Sequence, residues 1–271
     1  RLKDVEKILF VGLPCQVAAA KHYTKNHQNL YTIDLICHGT PSPKILEKFL
    51  DDYDVKLVDL ERIRFRVKNS FRLEQNGKQF AVPTVTDNYL MTFLNSTSYT
   101  ENCYQCNYAQ LGRAGDITLG DSWGSELEKK IQDKGVSLIL CQSDKGKNLI
   151  EKSDLVLTDV ELKRAIEHNH QLQHPSQKPP QREAFFRKLN KGCKFKNVVR
   201  KCYPERYLKD TLKTLLYKAK FVGGAKQLLN NCWYEYNWKI KITKWKLASY
   251  NFTTNGLVLH NLKFARLKYQ I

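Results

Sequence analysis

The chain has 271 residues, 42% of them hydrophobic, with 45 Lys and Arg against 27 Asp and Glu, a net charge of +18. That leaves room for one large domain or two smaller ones, each with a sizeable core. It excludes a small disulfide scaffold, for which eight cysteines are too few and too scattered, and no apolar run approaches the ~20 residues of a membrane-spanning helix.

The charge is unevenly placed. Residues 175–271 hold 22 of the basic and 4 of the acidic side chains, so the chain before them is neutral. This partition, with the Pro-rich HPSQKPPQR at 174–182, predicts two modules: an α/β body over 1–182 and a basic, aromatic-rich tail over 183–271. The opening RLKDVEKILFVG has neither a signal-peptide apolar region nor a start methionine and runs at once into a buried-type strand, as expected of a chain that begins in mid-protein.

Residues 8–12, ILFVG, form a continuous apolar run ending in Gly, the pattern of a strand covered on both faces. A helix follows from just after Cys15, then a second buried run, LYTIDLI at 30–36, then the helical pattern KILEKFLDDY with Ile45, Leu46, Phe49 and Leu50 on one side. Strand–helix–strand–helix with short joints is a parallel unit. It sets Cys15 and Cys37 just past the C-terminal ends of parallel strands, the edge where open α/β sheets bind ligands. From Val58 the pattern alternates, and RLEQNGKQFAV carries an Asn-Gly turn, so a hairpin is expected. TDNYLMTFLNS reads as a short helix leading into Cys103-x-x-Cys106. GVSLILCQ and DLVLTDV read as strands, with KGKNLIEKS and VELKRAIEHN as helices. The fold class is α/β, a mixed and partly parallel sheet with flanking helices, followed by a basic helical and strand tail.

In the tail, REAFFRKLNK and RYLKDTLKTLLYKAKF read as amphipathic helices, the second with Leu208, Leu212 and Leu215 inward and Lys209, Lys213 and Lys220 outward. NCWYEYNWKIKITKWKLASYNF interleaves large aromatics with lysines, and the final NGLVLHNLKFARLKYQI reads as strands with no clear partners and no cap.

The densest chemistry lies at Cys103–Cys106 and in GRAGDITLGDSWG, residues 112–124. A Cys-x-x-Cys turn aims both sulfurs the same way, and each Gly-Asp step bends the backbone tightly beside a carboxylate. With Cys15 and Cys37 these make four thiols, enough for a closed metal site. The spacings of 22, 66 and 3 residues match no compact zinc ribbon. On ligand chemistry alone an iron–sulfur cluster, a structural zinc and no metal all remain open. Cys141, within VSLILC, reads as a buried strand residue, and Cys193, Cys202 and Cys232 have no ligand spacing.

FVGLPCQVAAAK, IDLICHGTPSP, CYQCNYAQLGRAGDITLGDSWG and KGVSLILCQSDKG, in this order, resemble the coenzyme F420 hydrogenase/dehydrogenase beta-subunit family, its C-terminal domain, over about residues 8–190 including PPQREAFF. The resemblance implies an iron–sulfur flavoprotein oxidoreductase with a 4Fe–4S cluster beside a flavin, typically FAD. It would pass electrons between one-electron carriers and a two-electron carrier of flavin or deazaflavin type. Relatives of this kind range from deazaflavin-reducing proteins to reductases of chlorophyll derivatives, and many bacterial ones resemble genes of surface-polysaccharide clusters. Carried over by position, Cys15, Cys37, Cys103 and Cys106 are the implied cluster ligands. Gly12, Gln16, His38, Gly39, Arg113, Asp116, Gly120, Asp121 and Trp123 are the implied cleft residues near the flavin. Leu13 stands where the family usually has Thr, and Ser122 where it usually has an aromatic, so the pocket is expected to differ. Many members begin with a ferredoxin-like segment and a first flavin-domain half that the sequence before Arg1 does not show; if the chain is a fragment, an incomplete flavin site and no activity in isolation are expected.

The implied partner is an electron-donor protein or ferredoxin-like module. The basic tail adds an anionic membrane surface as an expected partner, and nucleic acid is disfavoured because no recognisable binding motif accompanies the charge. The expected location is cytoplasmic, peripheral to a membrane if the tail docks. The contrasting reading is a non-catalytic four-cysteine zinc module with the same tail on anionic lipid or nucleic acid.

Overall fold

A computed structural model of the chain describes residues 7–67, 70–218 and 257–259. In chain order the first half runs β1 (Ile8–Gly12), α1 (Pro14–Tyr23), β2 (Leu30–Leu35), α2 (Pro43–Leu50), β3 (Ile63–Val67), β4 (Ser70–Gln75), β5 (Lys78–Gln79) and α3 (Asn88–Leu94). Then follow β6 (Ile117–Asp121), α4 (Lys129–Gln132), β7 (Ser137–Cys141), α5 (Asp144–Glu151), β8 (Leu157–Asp159), α6 (Leu162–His168), α7 (Arg182–Asn190), α8 (Phe195–Cys202), α9 (Pro204–Lys218) and β9 (Leu257–Leu259). These elements make an α/β protein with a mixed sheet, divided into two compact units.

The first unit takes in 7–42, 95–180 and 257–259 of the described residues and holds a six-stranded sheet in the order β1-β2-β6-β7-β9-β8. β1, β2 and β6 are parallel, with Gly12 opposite Asp34 and Leu35 opposite Leu119. β6 pairs antiparallel with β7, and β9 lies antiparallel between β7 and β8. The run Leu138–Cys141 is buried on both faces and joins Ile117, Ile150, Ala165 and Leu172 in the core, which is why β7 reads as apolar throughout. Cys141 is only 5% exposed, inside this core. Val258 pairs with both Leu138 and Thr158, so residues 257–259 do have strand partners, unlike the expectation for the end of the chain. Their partners are distant in sequence and no local pattern announces them.

The second unit takes in 43–94 and 181–218 of the described residues. Its three-stranded antiparallel sheet, β3-β4-β5, turns between β4 and β5 at Asn76 and Gly77, both with positive φ (49° and 82°), as the Asn-Gly pair requires. Phe49 lies at the centre, fully buried, its ring within 6 Å of the rings of Tyr53, Phe80, Tyr89 and Phe195. Phe185, Leu189, Phe195, Val198 and Val199 come from α7 and α8 to the same core as Ile45, Leu73 and Leu90.

Two expectations are corrected here. The chain after 182 is not a separate tail over its described length, because α7 and α8 complete a core whose other half is residues 43–94. The helix α8 itself had no counterpart in the sequence reading. Its signal was present in Phe195, Val198, Val199 and Cys202, an i, i+3, i+4, i+7 stripe obscured by the lysines around it. In α9, Leu208, Leu212 and Leu215 face outward rather than inward, 68%, 59% and 59% exposed, while Lys213 is half-buried. Lys220, Cys232 and the stretch of aromatics and lysines lie outside the described residues. Cys193 and Cys202 pack against the second unit's core.

Candidate functional site

The parallel strands β1, β2 and β6 end at Gly12, Leu35 and Asp121, and three chain segments gather at this edge. Cys15 is the second residue of α1, whose start is fixed by Pro14 and by the Leu13 N–H donating to Gln16 Oε1 at 2.9 Å. Cys37 lies two residues beyond β2. Between Cys37 and the Cys-x-x-Cys, residues 43–94 leave for the second unit and return at 95. A bridge between Pro41 and Tyr99, and the Thr100 N–H donating to the Thr40 carbonyl at 2.9 Å, close that excursion. The same closure seats Cys103, whose sulfur accepts from the Thr40 N–H at 3.4 Å and lies 3.2 Å from the Thr100 hydroxyl. Gly39, with φ +140°, allows it, because a Cβ there would lie 2.3 Å from the buried Tyr99 ring.

The Cys37 thiol feels the other three. Burial pushes the Cys37 thiol up, the Gly39 N–H pulls it down, and Cys103, Cys15 and Cys106 each push it up as anionic neighbours. Cys15 is exposed and the other three are half-buried. Among the described residues no three His, Cys, Asp or Glu side chains are placed close enough to hold one metal ion.

His38 stands beside Cys37 and is held on two sides. Its carbonyl accepts from the Ser176 hydroxyl at 2.7 Å, and its Nδ1 lies 2.7 Å from Gln171 Nε2. The same amide nitrogen reaches His170 Nε2 at 2.5 Å, so the two amide hydrogens are donated to two neutral imidazoles in this assignment. Burial lowers the basicity of His38 first, the neighbouring His170 lowers it further, and Asp121 partly offsets them. Gln171 Oε1 is buried with no hydrogen-bond partner.

The remaining positions divide into edge and brace. Gly12, Gln16, Gly39, Gly120 and Asp121 are at or next to the crest, and Trp123 is 40% exposed on the loop after β6. That loop is pinned by the Arg164 Nε–H donating to the Gly124 carbonyl at 2.5 Å. Arg113 points inward instead. Its buried guanidinium pairs with Asp34 at 3.4 Å and donates to the carbonyls of Leu35 (2.5 Å), Tyr108 (2.9 Å) and Gln171 (3.4 Å). It therefore ties the strand before Cys37 to the loop after Cys106 and to the Gln171 turn.

Asp116 stands at the opposite, N-terminal end of β6. Its carboxylate accepts from the Thr32 N–H and hydroxyl (2.8 and 2.7 Å) and the Ser143 hydroxyl (2.9 Å), with Lys21 and Lys145 within 3.8 Å. Burial alone would raise its pKa, but the Thr32 and Ser143 hydrogen bonds and the Lys21 charge outweigh it and hold the carboxyl below its ordinary value. Asp34, Gln171 and His170 were missed by sequence reasoning. Asp34 was signalled as the lone acid in the apolar run 30–36, and the others by the histidine spacing of 168–174.

The crest thus gathers Cys15 just after β1, Cys37 just after β2 and, against the Thr40 N–H, Cys103 of the Cys-x-x-Cys turn, the cysteine-bearing edge of an α/β sheet. The chain belongs to the family defined by the C terminus of the coenzyme F420 hydrogenase/dehydrogenase beta subunit, whose model matches residues 5–163. The match spans all four cysteines and ends in α6, short of the 190 expected from the motifs. Membership places the chain among oxidoreductase-type electron-transfer proteins. Among the curated proteins none matches it. No helix among the described residues is long and apolar enough to cross a membrane.

Proposed function

We propose that the first unit is the redox module of an iron–sulfur flavoprotein, with Cys15, Cys37, Cys103 and Cys106 holding a 4Fe–4S cluster and a flavin, FAD, against the adjoining crest. The observation that carries this reading is the arrangement at the crest: Cys15 and Cys37 lie just past β1 and β2, and the Cys-x-x-Cys turn is seated on the Cys37 loop through the Thr40 N–H and Cys103 Sγ, so that two further cysteine segments bear on Cys37. The donor set fits by its chemistry: four cysteine sulfurs are the ligand count of a 4Fe–4S cluster, and a cationic iron centre would take as thiolate the Cys37 thiol that burial and its neighbours raise. When bound, such a cluster supplies one-electron steps and a flavin couples them to two-electron chemistry.

The chain's own residues hold and orient. The Thr40 N–H and the Thr100 hydroxyl fix the Cys103 sulfur. Arg113 and Asp34 are positioning residues that keep the Cys37 and Cys106 loops in register. Gly12, Gln16, His38, Gly39, Gly120, Asp121 and Trp123 would meet the flavin, while Asp116 braces the far end of the sheet. The electron donor is a small iron–sulfur protein or module approaching the exposed Cys15 side.

The test is the visible spectrum of anaerobically purified chain. The account expects broad cluster absorption that dithionite bleaches and that Cys37→Ser removes. A colourless protein that gains no such band on reconstitution with iron and sulfide would overturn it.

A further inference from the structure

The outward face of α9 has a use that the redox reading does not supply. Leu208, Leu212 and Leu215, at i, i+4 and i+7, form one stripe along the helix and are 68%, 59% and 59% exposed. The side that packs on the rest of the second unit carries Tyr207, Asp210 and Thr214, all half-buried. Lys209 is exposed beside the stripe, while Arg206, its side chain 48% exposed, is paired with Asp210 at 2.7 Å. The helix sits in the part of the chain where 22 basic residues face 4 acidic ones.

We propose that this stripe lies in the interface of an anionic lipid bilayer, its leucines at the boundary between headgroups and acyl chains and Lys209 at the headgroups. An apolar stripe with the exposed Lys209 beside it, on a 15-residue helix too short to span and in a strongly basic part of the chain, has the pattern of an interfacial helix. The positive balance supplies attraction to an anionic leaflet. A second copy of the chain fits less well, since it would bring two surfaces of the same sign together. A nucleic acid fits less well also, since aliphatic leucines offer nothing to phosphates and no ring for stacking.

The test is co-sedimentation of the full chain with vesicles of phosphatidylcholine alone or mixed with phosphatidylserine, alongside the variant L208S/L212S/L215S. Because these side chains are exposed, the variant should keep the wild-type circular dichroism spectrum. Wild type should pellet with the mixed vesicles, release at high salt, and bind pure phosphatidylcholine weakly. The triple variant should bind the mixed vesicles at least about tenfold more weakly. Equal binding by the triple variant, salt-insensitive binding, or no binding by wild type would each overturn the proposal. So would a wild-type dimer that the variant turns into a monomer while neither binds vesicles.

Discussion

Arg113 and Asp34 form an ion pair that water does not reach, their side chains 1% and 0% exposed. Asp34→Asn keeps the shape and removes the charge. The amide oxygen can still accept from Arg113 Nε–H or from the Gly115 N–H, now at 3.4 and 2.9 Å, but not from both in the present geometry. The guanidinium is then buried without a counter-charge. Breaking one side of such a pair costs about 3–5 kcal/mol. Three carbonyls still accept from the guanidinium, which puts Asp34→Asn at the low end, about 3 kcal/mol or roughly a hundredfold in the unfolding equilibrium. Arg113→Met should cost more, about 4–5 kcal/mol, because it also strands the Leu35, Tyr108 and Gln171 carbonyls. Urea unfolding followed by circular dichroism should show midpoints falling in that order with unchanged slope. A loss below about 1 kcal/mol for Asp34→Asn, or an Arg113→Met no worse than it, would refute the brace.

Phe195→Ala should cost about 3–5 kcal/mol and a chain ended at residue 190 should lose the cooperative unfolding of the second unit, because Phe195, Val198 and Val199 are buried with the residues of 43–94. A truncated chain melting like the full one would show that α8 is dispensable. Cys141→Ala should cost about 1 kcal/mol and leave iron content unchanged, since Cys141 sits in the β7 core opposite Ile117, at the other end of β6 from the crest where Cys15 and Cys37 lie; loss of iron would regroup the cysteines. The Asp116 carboxyl is held below its unfolded value, so its stabilisation is complete above the unfolded pKa, near 4, and is lost as pH falls through the folded one. The urea-midpoint gap between wild type and Asp116→Asn should therefore shrink on acidification, and a gap independent of pH would contradict that.

The parallel core was legible because β1 and β2 are short apolar runs and because α2 turns Ile45, Phe49 and Leu50 to one side; but β1 is not covered on both faces as its run suggested, since it forms the sheet edge with Leu9 and Val11 each 54% exposed. The hairpin was legible in Asn76-Gly77. The chain's division was not, since the second unit is assembled from two segments separated by 86 residues, 95–180, and no local pattern encodes that long-range pairing. The same applies to β9. In the site, strand ends placed Cys15 and Cys37 on the crest, as the structure has them, but spacing says nothing about which polar residues point inward. Arg113 and Asp116 therefore read as cleft residues, whereas their donors and acceptors are committed to Leu35, Tyr108, Thr32 and Ser143. The α9 leucines failed for the complementary reason: an amphipathic stripe fixes a face, not which way the face turns.

The central claim is that Cys15, Cys37, Cys103 and Cys106 hold an iron–sulfur cluster, and elemental analysis of anaerobically purified chain tests it most directly. The account predicts about four iron atoms per chain, lost on Cys37→Ser and retained in Cys141→Ala. One zinc and no iron, in protein that also fails to take up iron and sulfide, would contradict it and leave a structural four-cysteine site in its place.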